Sequence, residues 1–279
     1  MEKSKVNKAV VLFPKDHGAF DKIYGLTILE RTFHALERGG ADTIFLPESA
    51  RGSAVEALVK KSGWKVNFQF AGNLKNLPDE RQTGLLVLSR PLVLDPNVPK
   101  GFFEKMPVGP QVLISKNREI ALFPPSVISQ IKPAGISLDE DFQTWLDAAN
   151  QQGAAAREMD FPGLICGAVT SPEEKKAVKK ALIRSLTKPS DGWVSRHLNR
   201  PISTKISRVL AYTSITPNQF TIVTGLAGLA TGVFAAMGGY WNFLVAGTLF
   251  HLTSILDGVT ANWQGSNSNL RPLGNGSIR

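Results

Sequence analysis

Cysteine is almost missing from this chain: Cys166 stands alone among 279 residues. A single thiol excludes a disulfide framework and any metal knuckle built on paired cysteines. Histidine is nearly as scarce, and His17, His34, His197 and His251 show no metal-ligand spacing. The N-terminus, MEKSKVNKAVVLF, has a basic start. It has neither an apolar run of signal-peptide length nor a small-residue cleavage site, so the soluble part is expected to stay in the cytoplasm. There is no P-loop, no nucleophile elbow, no internal repeat and no low-complexity tract. The most telling absence is of charge: from Val209 to Leu256 there is no Asp, Glu, Lys or Arg.

That uncharged block divides the chain. Residues 1–208 read as an ordinary mixed soluble sequence, and the net charge of +9 is concentrated just ahead of the block, with ten Lys and Arg between Lys175 and Arg208. A pI near 9.7 can indicate nucleic acid. Basic residues flanking an apolar span are better explained by anionic lipid headgroups and the positive-inside rule. No nucleic-acid partner is expected.

The soluble half alternates strand and helix signals. KAVVLF (Lys8–Phe13) reads as a buried strand and LTILERTFHALERGG as a helix with a Gly-Gly stop. DTIFLPE, KVNFQFAG and GLLVLSR (Gly84–Arg90) read as further strands, with VEALVKK as a short helix between the first two. This order predicts an α/β layer around a mainly parallel sheet. QVLISKN and EIALFP read as a hairpin inserted in that sheet, followed by a helix at SVISQI. Ser171-Pro172-Glu173-Glu174 has a cap, a proline and first-turn acids, and starts a helix that runs towards Lys188-Pro189.

Next, Trp193, Val194, Leu198, Ile202, Ile206, Val209 and Leu210 recur at mostly helical steps among Arg and Lys. The pattern predicts a basic amphipathic helix lying on a membrane surface. NQFTIVTGLAGLATGVFAAMGG and YWNFLVAGTLFHLTSIL are each long enough to cross a hydrocarbon core of roughly 30 Å. Gly238-Gly239 makes the turn, Tyr240 and Trp241 suit a water interface, and Gly228 and Gly232 form a small face for close helix packing. A hairpin that begins in the cytoplasm returns there, which places Asp257 at the cytoplasmic end of the second span. An acid at that place is a functional candidate.

The residues KPSDGWVSRHLNRPISTKISRVLAYTSITPNQFTIVTG, followed by a span ending in SILDG, resemble the opening part of a CDP-alcohol phosphotransferase. That resemblance implies cleavage of a CDP-linked alcohol, transfer of its substituted phosphate to a second alcohol, and release of CMP. The family signature is D-x2-D-G-x2-A-R-x8-G-x3-D-x3-D, in which acids at helical spacing hold divalent metal, Mg or Mn, against a pyrophosphate. The last acid serves as base for the incoming hydroxyl. By this resemblance Asp257 is a metal ligand and Gly258 lies at the nucleotide, with a further nucleotide contact at Asn218, Gln219, Phe220 and Thr221. The pattern then fails. Thr260 stands at the second acid, Ala261 at the first Gly, Gln264 at the Ala, Gly265 at the Arg and Ile278 at the third acid, while Gly274 fits the later Gly. No catalytic set is complete.

The failure has a form. GVTANWQG can be coded GGC GTG ACG GCG AAT TGG CAA GGC. One T after the first codon turns the same bases into GGC TGT GAC GGC GAA TTG GCA AGG, which encodes GCDGELAR. Permitted codons carry the signature on to its third acid. The silent codon positions are free to vary, so the sequence is compatible with this coding. The resulting expectation is a frameshifted product of a longer gene, with 259–279 out of frame.

Residues 8–187 resemble a sugar-phosphate nucleotidyltransferase, as found fused to this membrane domain in bifunctional inositol-phosphate cytidylyltransferase / di-inositol-phosphate-phosphate synthases. Where that family carries a Gly-rich loop cradling a triphosphate, this chain has PKDHGAFDK; Lys22 matches a family lysine. The metal-binding acid expected after LLVL is Arg90, and the second falls on Ala168.

The expected architecture is therefore an α/β nucleotidyltransferase-like (Rossmann-like) domain over 1–187, degenerate at its metal acids. An amphipathic juxtamembrane segment over 188–214 and a two-helix transmembrane hairpin over 215–258 follow. The implied setting is the inner membrane, with the N-terminal domain in the cytoplasm. The implied partners are membrane lipid, a CDP-alcohol nucleotide and a second copy in a homodimer. Two alternatives stand beside the transferase: a membrane-anchored, non-catalytic nucleotide- or partner-binding module, and a cytidylyltransferase making a CDP-alcohol.

Overall fold

Short apolar runs become the strands of the first unit. In the computed structural model, residues 7–13, 18–60, 63–77, 84–184, 199, 202–203, 205–207 and 217–266 are described. Lys15, Asp16, His17, Lys188, Trp193, Val194, His197, Leu198, Val209, Leu210, Gly274 and Ile278 lie outside the described residues. The chain divides into two units, Met1–Lys22 with Thr27–Val178, and Ile23–Leu26 with Lys179–Arg279.

Among the described residues the strands are β1 (Lys8–Val11), β2 (Lys22–Ile23), β3 (Leu26–Thr27), β4 (Thr43–Pro47), β5 (Asn67–Ala71), β6 (Leu85–Leu88), β7 (Val93–Leu94), β8 (Gln111–Ser115), β9 (Ile120–Phe123), β10 (Ala155–Met159) and β11 (Cys166–Gly167). Helices with bounds among the described residues include α1 (Ile28–Arg38), α2 (Ala54–Val59), α3 (Asn97–Glu104), α4 (Pro125–Ile131), α5 (Phe142–Gln151), α6 (Pro172–Arg184), α7 (Pro217–Met237) and α8 (Tyr240–Ser266).

Seven strands form one mixed sheet in the order β10-β8-β9-β6-β1-β4-β5. β1 runs parallel to β4 and β6, β4 to β5, and β8 to β10; β9 is antiparallel to both β6 and β8. The expected hairpin is thus present, and its second strand is the one that reverses direction. KAVV, TIFLP and LLVL are buried along their whole length, as parallel strands covered on both faces must be. One face packs α1, α2 and α3 through Phe33, Leu36, Val55, Phe102 and Phe103. The other packs α4 and α5 through Val127, Ile131, Trp145 and Ala149. The first unit is therefore a three-layer α/β fold.

Local chemistry sets the start of α1. Thr27 accepts the Glu30 N–H at 3.1 Å while the Glu30 carboxylate accepts the Thr27 N–H at 2.9 Å, a reciprocal capping box. Besides the two-residue strands, three elements lie where the sequence pattern gives no regular signal: α3, α5 and β10. AAREM has no apolar alternation, and four of its five residues are exposed. It joins the sheet as an edge strand through backbone bonds to β8, and its charged side chains suit an edge.

In the second unit α7 and α8 form an antiparallel hairpin. Gly238 and Gly239 take φ of +66° and +85°, a left-handed turn that residues with a Cβ enter at a cost. Tyr240 and Trp241 sit edge to face just beyond it, ring centroids 5.5 Å apart. Among the described residues, two stretches are long and apolar enough to cross a membrane: Gln219–Met237, with mean hydropathy 1.8, and Tyr240–Thr260, with 1.4.

Candidate functional site

Beginning at β1, the chain moves outward through β4 to β5, then returns to lay β6 on the other side of β1. The direction of winding thus reverses between β1 and β6. In open α/β sheets the crevice outside the carboxyl ends of strands at such a reversal is where ligands bind. Ser89 and Arg90 leave β6 at that point. Because β9 runs antiparallel to β6, its start returns to the same end: Ser89 N–H donates to the Glu119 carbonyl at 2.8 Å.

Glu119 is the residue that the sequence did not single out. Its carboxylate accepts the Ala168 backbone N–H and the Asn117 Nδ2 amide, both at 3.1 Å. Burial pushes its pKa up, and the nearby Arg90 charge pulls it back. The two positions that the resemblance assigns to metal acids, Arg90 and Ala168, therefore converge on Glu119, which comes from a third element. The hairpin turn is held by Ser115, whose hydroxyl accepts the Glu119 and Ile120 N–H groups at 3.2 and 3.0 Å. Among the described residues, Arg90 Nε and Ser89 Oγ are buried atoms with no hydrogen-bond partner. Leaving such a donor unpaired costs about 1–3 kcal/mol.

The strand-end loop is pinned from behind. The Thr32 hydroxyl, buried in α1, accepts the Leu92 N–H at 2.9 Å and lies 2.8 Å from the Leu92 carbonyl and 2.9 Å from that of Ile28. One helix residue thus fixes the backbone two positions after Arg90. Beside the turn, a cavity of about 250 Å³ is lined by Ser115, Lys116, Asn117, Asp160, Phe161 and Cys166 among others. Burial pushes the Cys166 thiol up to about 11, so it is protonated at neutral pH and a poor nucleophile.

These residues do not fit a divalent cation. Mg²⁺ and Mn²⁺ need several oxygen ligands, whereas Glu119 Oε2 is already bonded to two N–H donors, its carboxylate is faced by a guanidinium, and the neighbouring Glu174 carboxylate is bonded to Thr170 and Ser171.

The second unit brings together another set. Asn199 Nδ2 donates to Ser254 Oγ at 3.1 Å. Ser203 is fully buried, and a Cβ placed on Gly258 would meet its Cβ and Oγ at 3.4 Å. Ser207 is buried too, its hydroxyl donating to the Ser203 carbonyl at 2.8 Å. The small polar residues of the basic segment thus face α8 at Ser254 and Gly258. Ile202, from the apolar stripe that the sequence pattern assigns to a membrane surface, is exposed.

Gly228 faces Thr253 across the hairpin, 3.8 Å from where its Cβ would be. Equal steps back along α7 and forward along α8 bring Thr221 level with Thr260. Gln219, Phe220 and Thr221 thus share an end of the hairpin with Asp257 and Gly258; Asn218 lies in the same first turn. Asp257 is exposed. No group of three or more His, Cys, Asp or Glu that could hold a metal occurs among the described residues. Asp257, with Thr260 at the next signature position, does not make up a divalent-metal set.

No protein-family model matches the chain. It is homologous over part of its length to proteins named bifunctional IPC transferase and DIPP synthase. That of Thermococcus kodakarensis is 45% identical over 92 residues, 33% of this chain and 20% of that protein. That of Aquifex aeolicus is 39% identical over 92 residues with the same coverage, and that of Archaeoglobus fulgidus is 36% identical over 91 residues, 32% and 18%. The match thus spans about a fifth of the length of these relatives.

Among solved structures, the chain is similar to the inositol-1-phosphate CTP transferase of T. maritima (TM-score 0.46, 14% identity, 65% of this chain and 96% of that one). It is also similar to a nucleotidyl transferase from Methanothermobacter (0.48, 13%, 66% and 100%) and to a 4-diphosphocytidyl-2C-methyl-D-erythritol synthase (0.49, 13%, 65% and 100%).

Proposed function

We propose that this chain carries the opening part of a membrane CDP-alcohol phosphotransferase, preceded by a nucleotidyltransferase-like domain that has lost its metal acids. The observation that carries this reading is the end of the α7–α8 hairpin. There Gly258, next to Asp257, packs on Ser203, and Thr221 falls level with Thr260 by equal steps from the Gly228–Thr253 contact; in this reading a nucleotide's phosphates lie there at the cytoplasmic surface. The partial homology to bifunctional IPC transferase and DIPP synthases supports it. So do the two apolar helices and the basic residues preceding them, which suit an inner membrane with the first unit in the cytoplasm. The partners in this reading are membrane lipid, a CDP-alcohol and a second copy of the chain.

In this reading the residues after Gly258 are written out of frame, which replaces the second acid by Thr260 and removes the arginine expected at Gly265. A single carboxylate cannot gather metal around a pyrophosphate, so the 279-residue chain performs no transfer by itself. Purified in detergent with CDP-linked lipid, Mg²⁺ and an alcohol acceptor, it should release no CMP above the protein-free rate. CMP release that tracks the purified chain would overturn the reading.

A second reading is favoured by the convergence of Arg90 and Ala168 on Glu119: a membrane-anchored module that binds an anionic ligand without reacting it. Metal-dependent release of pyrophosphate from CTP by the chain would contradict that and favour a cytidylyltransferase.

A further inference from the structure

We propose that Ser89 and Arg90 form a phosphate-binding site that works without a divalent metal. It rests on the first unit alone, so it stands or falls apart from the membrane transferase reading.

Four observations carry it. Ser89 and Arg90 stand at the carboxyl end of β6, beside the reversal in winding that makes a ligand crevice in this class of sheet. Arg90 Nε and Ser89 Oγ are enclosed and have no hydrogen-bond partner, although buried polar groups in folded proteins are nearly always paired. Two adjacent unpaired donors thus call for an acceptor from outside the chain. Both residues remain only half-buried, so a ligand can approach their outer atoms, and pairing with the enclosed Arg90 Nε and Ser89 Oγ requires a small shift of these side chains.

The fourth is the state of the nearest acid. Glu119 lies close enough for the Arg90 charge to act on it, yet its Oε2 is engaged by Ala168 N–H and Asn117. Among the described residues Arg90 makes no ion pair. The guanidinium is therefore held beside a carboxylate that does not take up its donors. Arginine presents a planar fork that matches the oxygens of phosphate and stays charged at all relevant pH. A metal would here be redundant, since the fixed cation is already in place. The backbone behind the site is preorganised by the Thr32–Leu92 bonds, so it need not be ordered on binding.

The test uses the full chain in neutral detergent micelles with EDTA, titrated with inorganic phosphate and followed by ³¹P line broadening. Saturable binding in EDTA is expected, with no gain on adding excess Mg²⁺. Arg90→Ala should weaken it at least tenfold. Arg90→Lys, which keeps the charge and loses the fork, should weaken it several-fold while preserving the circular dichroism of the wild type. If Arg90→Ala does not fold, Arg90→Lys decides. Absence of saturable binding, a requirement for Mg²⁺, or affinity unchanged in the substituted chain would each overturn the proposal.

Discussion

Leu229→Arg should remove the chain from the membrane. Leu229 lies near the middle of the Gln219–Met237 stretch and is 68% exposed. In the proposed setting its side chain meets lipid tails. An arginine at the centre of a span costs about 2.5–3.5 kcal/mol, and the lost leucine adds about 0.5 kcal/mol. At about 1.4 kcal/mol per factor of ten, the insertion equilibrium should move by roughly two orders of magnitude or more. After an alkaline carbonate wash of the membrane fraction, the wild-type chain should stay in the pellet. Leu229→Arg should divide towards the supernatant, and Leu229→Ala should behave as wild type. The competing possibility is a pair of soluble core helices, whose faces the rest of the protein would cover. Only 6% of the first stretch and 22% of the second are buried. A wild-type chain that washes off, or an arginine variant that resists the wash, would contradict the membrane reading.

Phe33→Ala should have the largest effect on the first unit. Phe33 is fully buried on the inner side of α1, with ring centroids 4.8 Å from Phe68 and 5.8 Å from Trp64. Truncating a buried phenylalanine costs about 3–5 kcal/mol, the removed transfer free energy plus the cavity left behind. For a domain of this size each kcal/mol lowers Tm by about 2–4 °C, so a fall of roughly 10 °C is expected. The neighbouring Thr32 pins Leu92, so loosening α1 should also reduce phosphate binding at Arg90. Phe33→Leu keeps most of the volume and should cost under about 1.5 kcal/mol. Differential scanning calorimetry of the wild type and both variants checks this. A shift under 2 °C for Phe33→Ala would mean that α1 does not form the core of this unit.

Much of this fold is legible in the sequence because its signals are local. LLVL and TIFLP are uninterrupted apolar runs, and LTILERTFHALERGG shows α1 by apolar residues at helical spacing and its Gly-Gly stop. The Gly238-Gly239 turn is visible for the same reason: its conformation follows from two adjacent residues. α5 is different. FQTWLDAANQ buries only Trp145 and Ala149 fully, a stripe too narrow to detect as a period. β10 is an edge strand whose identity lies in backbone bonds to β8, and side-chain pattern does not report those. The inward packing of Ser203 in the basic segment is not legible either, because size decides it. Serines fit against Gly258, where the isoleucines of the apolar stripe would not.

The candidate site shows the same division. Arg90 and Ala168 are visible because the resemblance to nucleotidyltransferases would put an acid at each of these places. Glu119 is not. In SKNREIALF it is one polar residue in a hairpin turn. Only the antiparallel course of β9 carries it back to the carboxyl end of β6. Nothing local to Asn117, Arg118 and Glu119 distinguishes the one that accepts the Ala168 N–H.

The central claim is that the motif begun at Asp257 is interrupted in its coding and belongs to a longer transferase. The measurement that tests it most directly is the genomic DNA sequence across codons 250–280 and about 400 bases beyond. The account predicts one additional base after codon 258, restoring DGCDGELAR, with further apolar spans following in the restored frame. Confirmation of the present frame, with no such spans downstream, would contradict it and leave a two-span anchor carrying an anion-binding α/β domain.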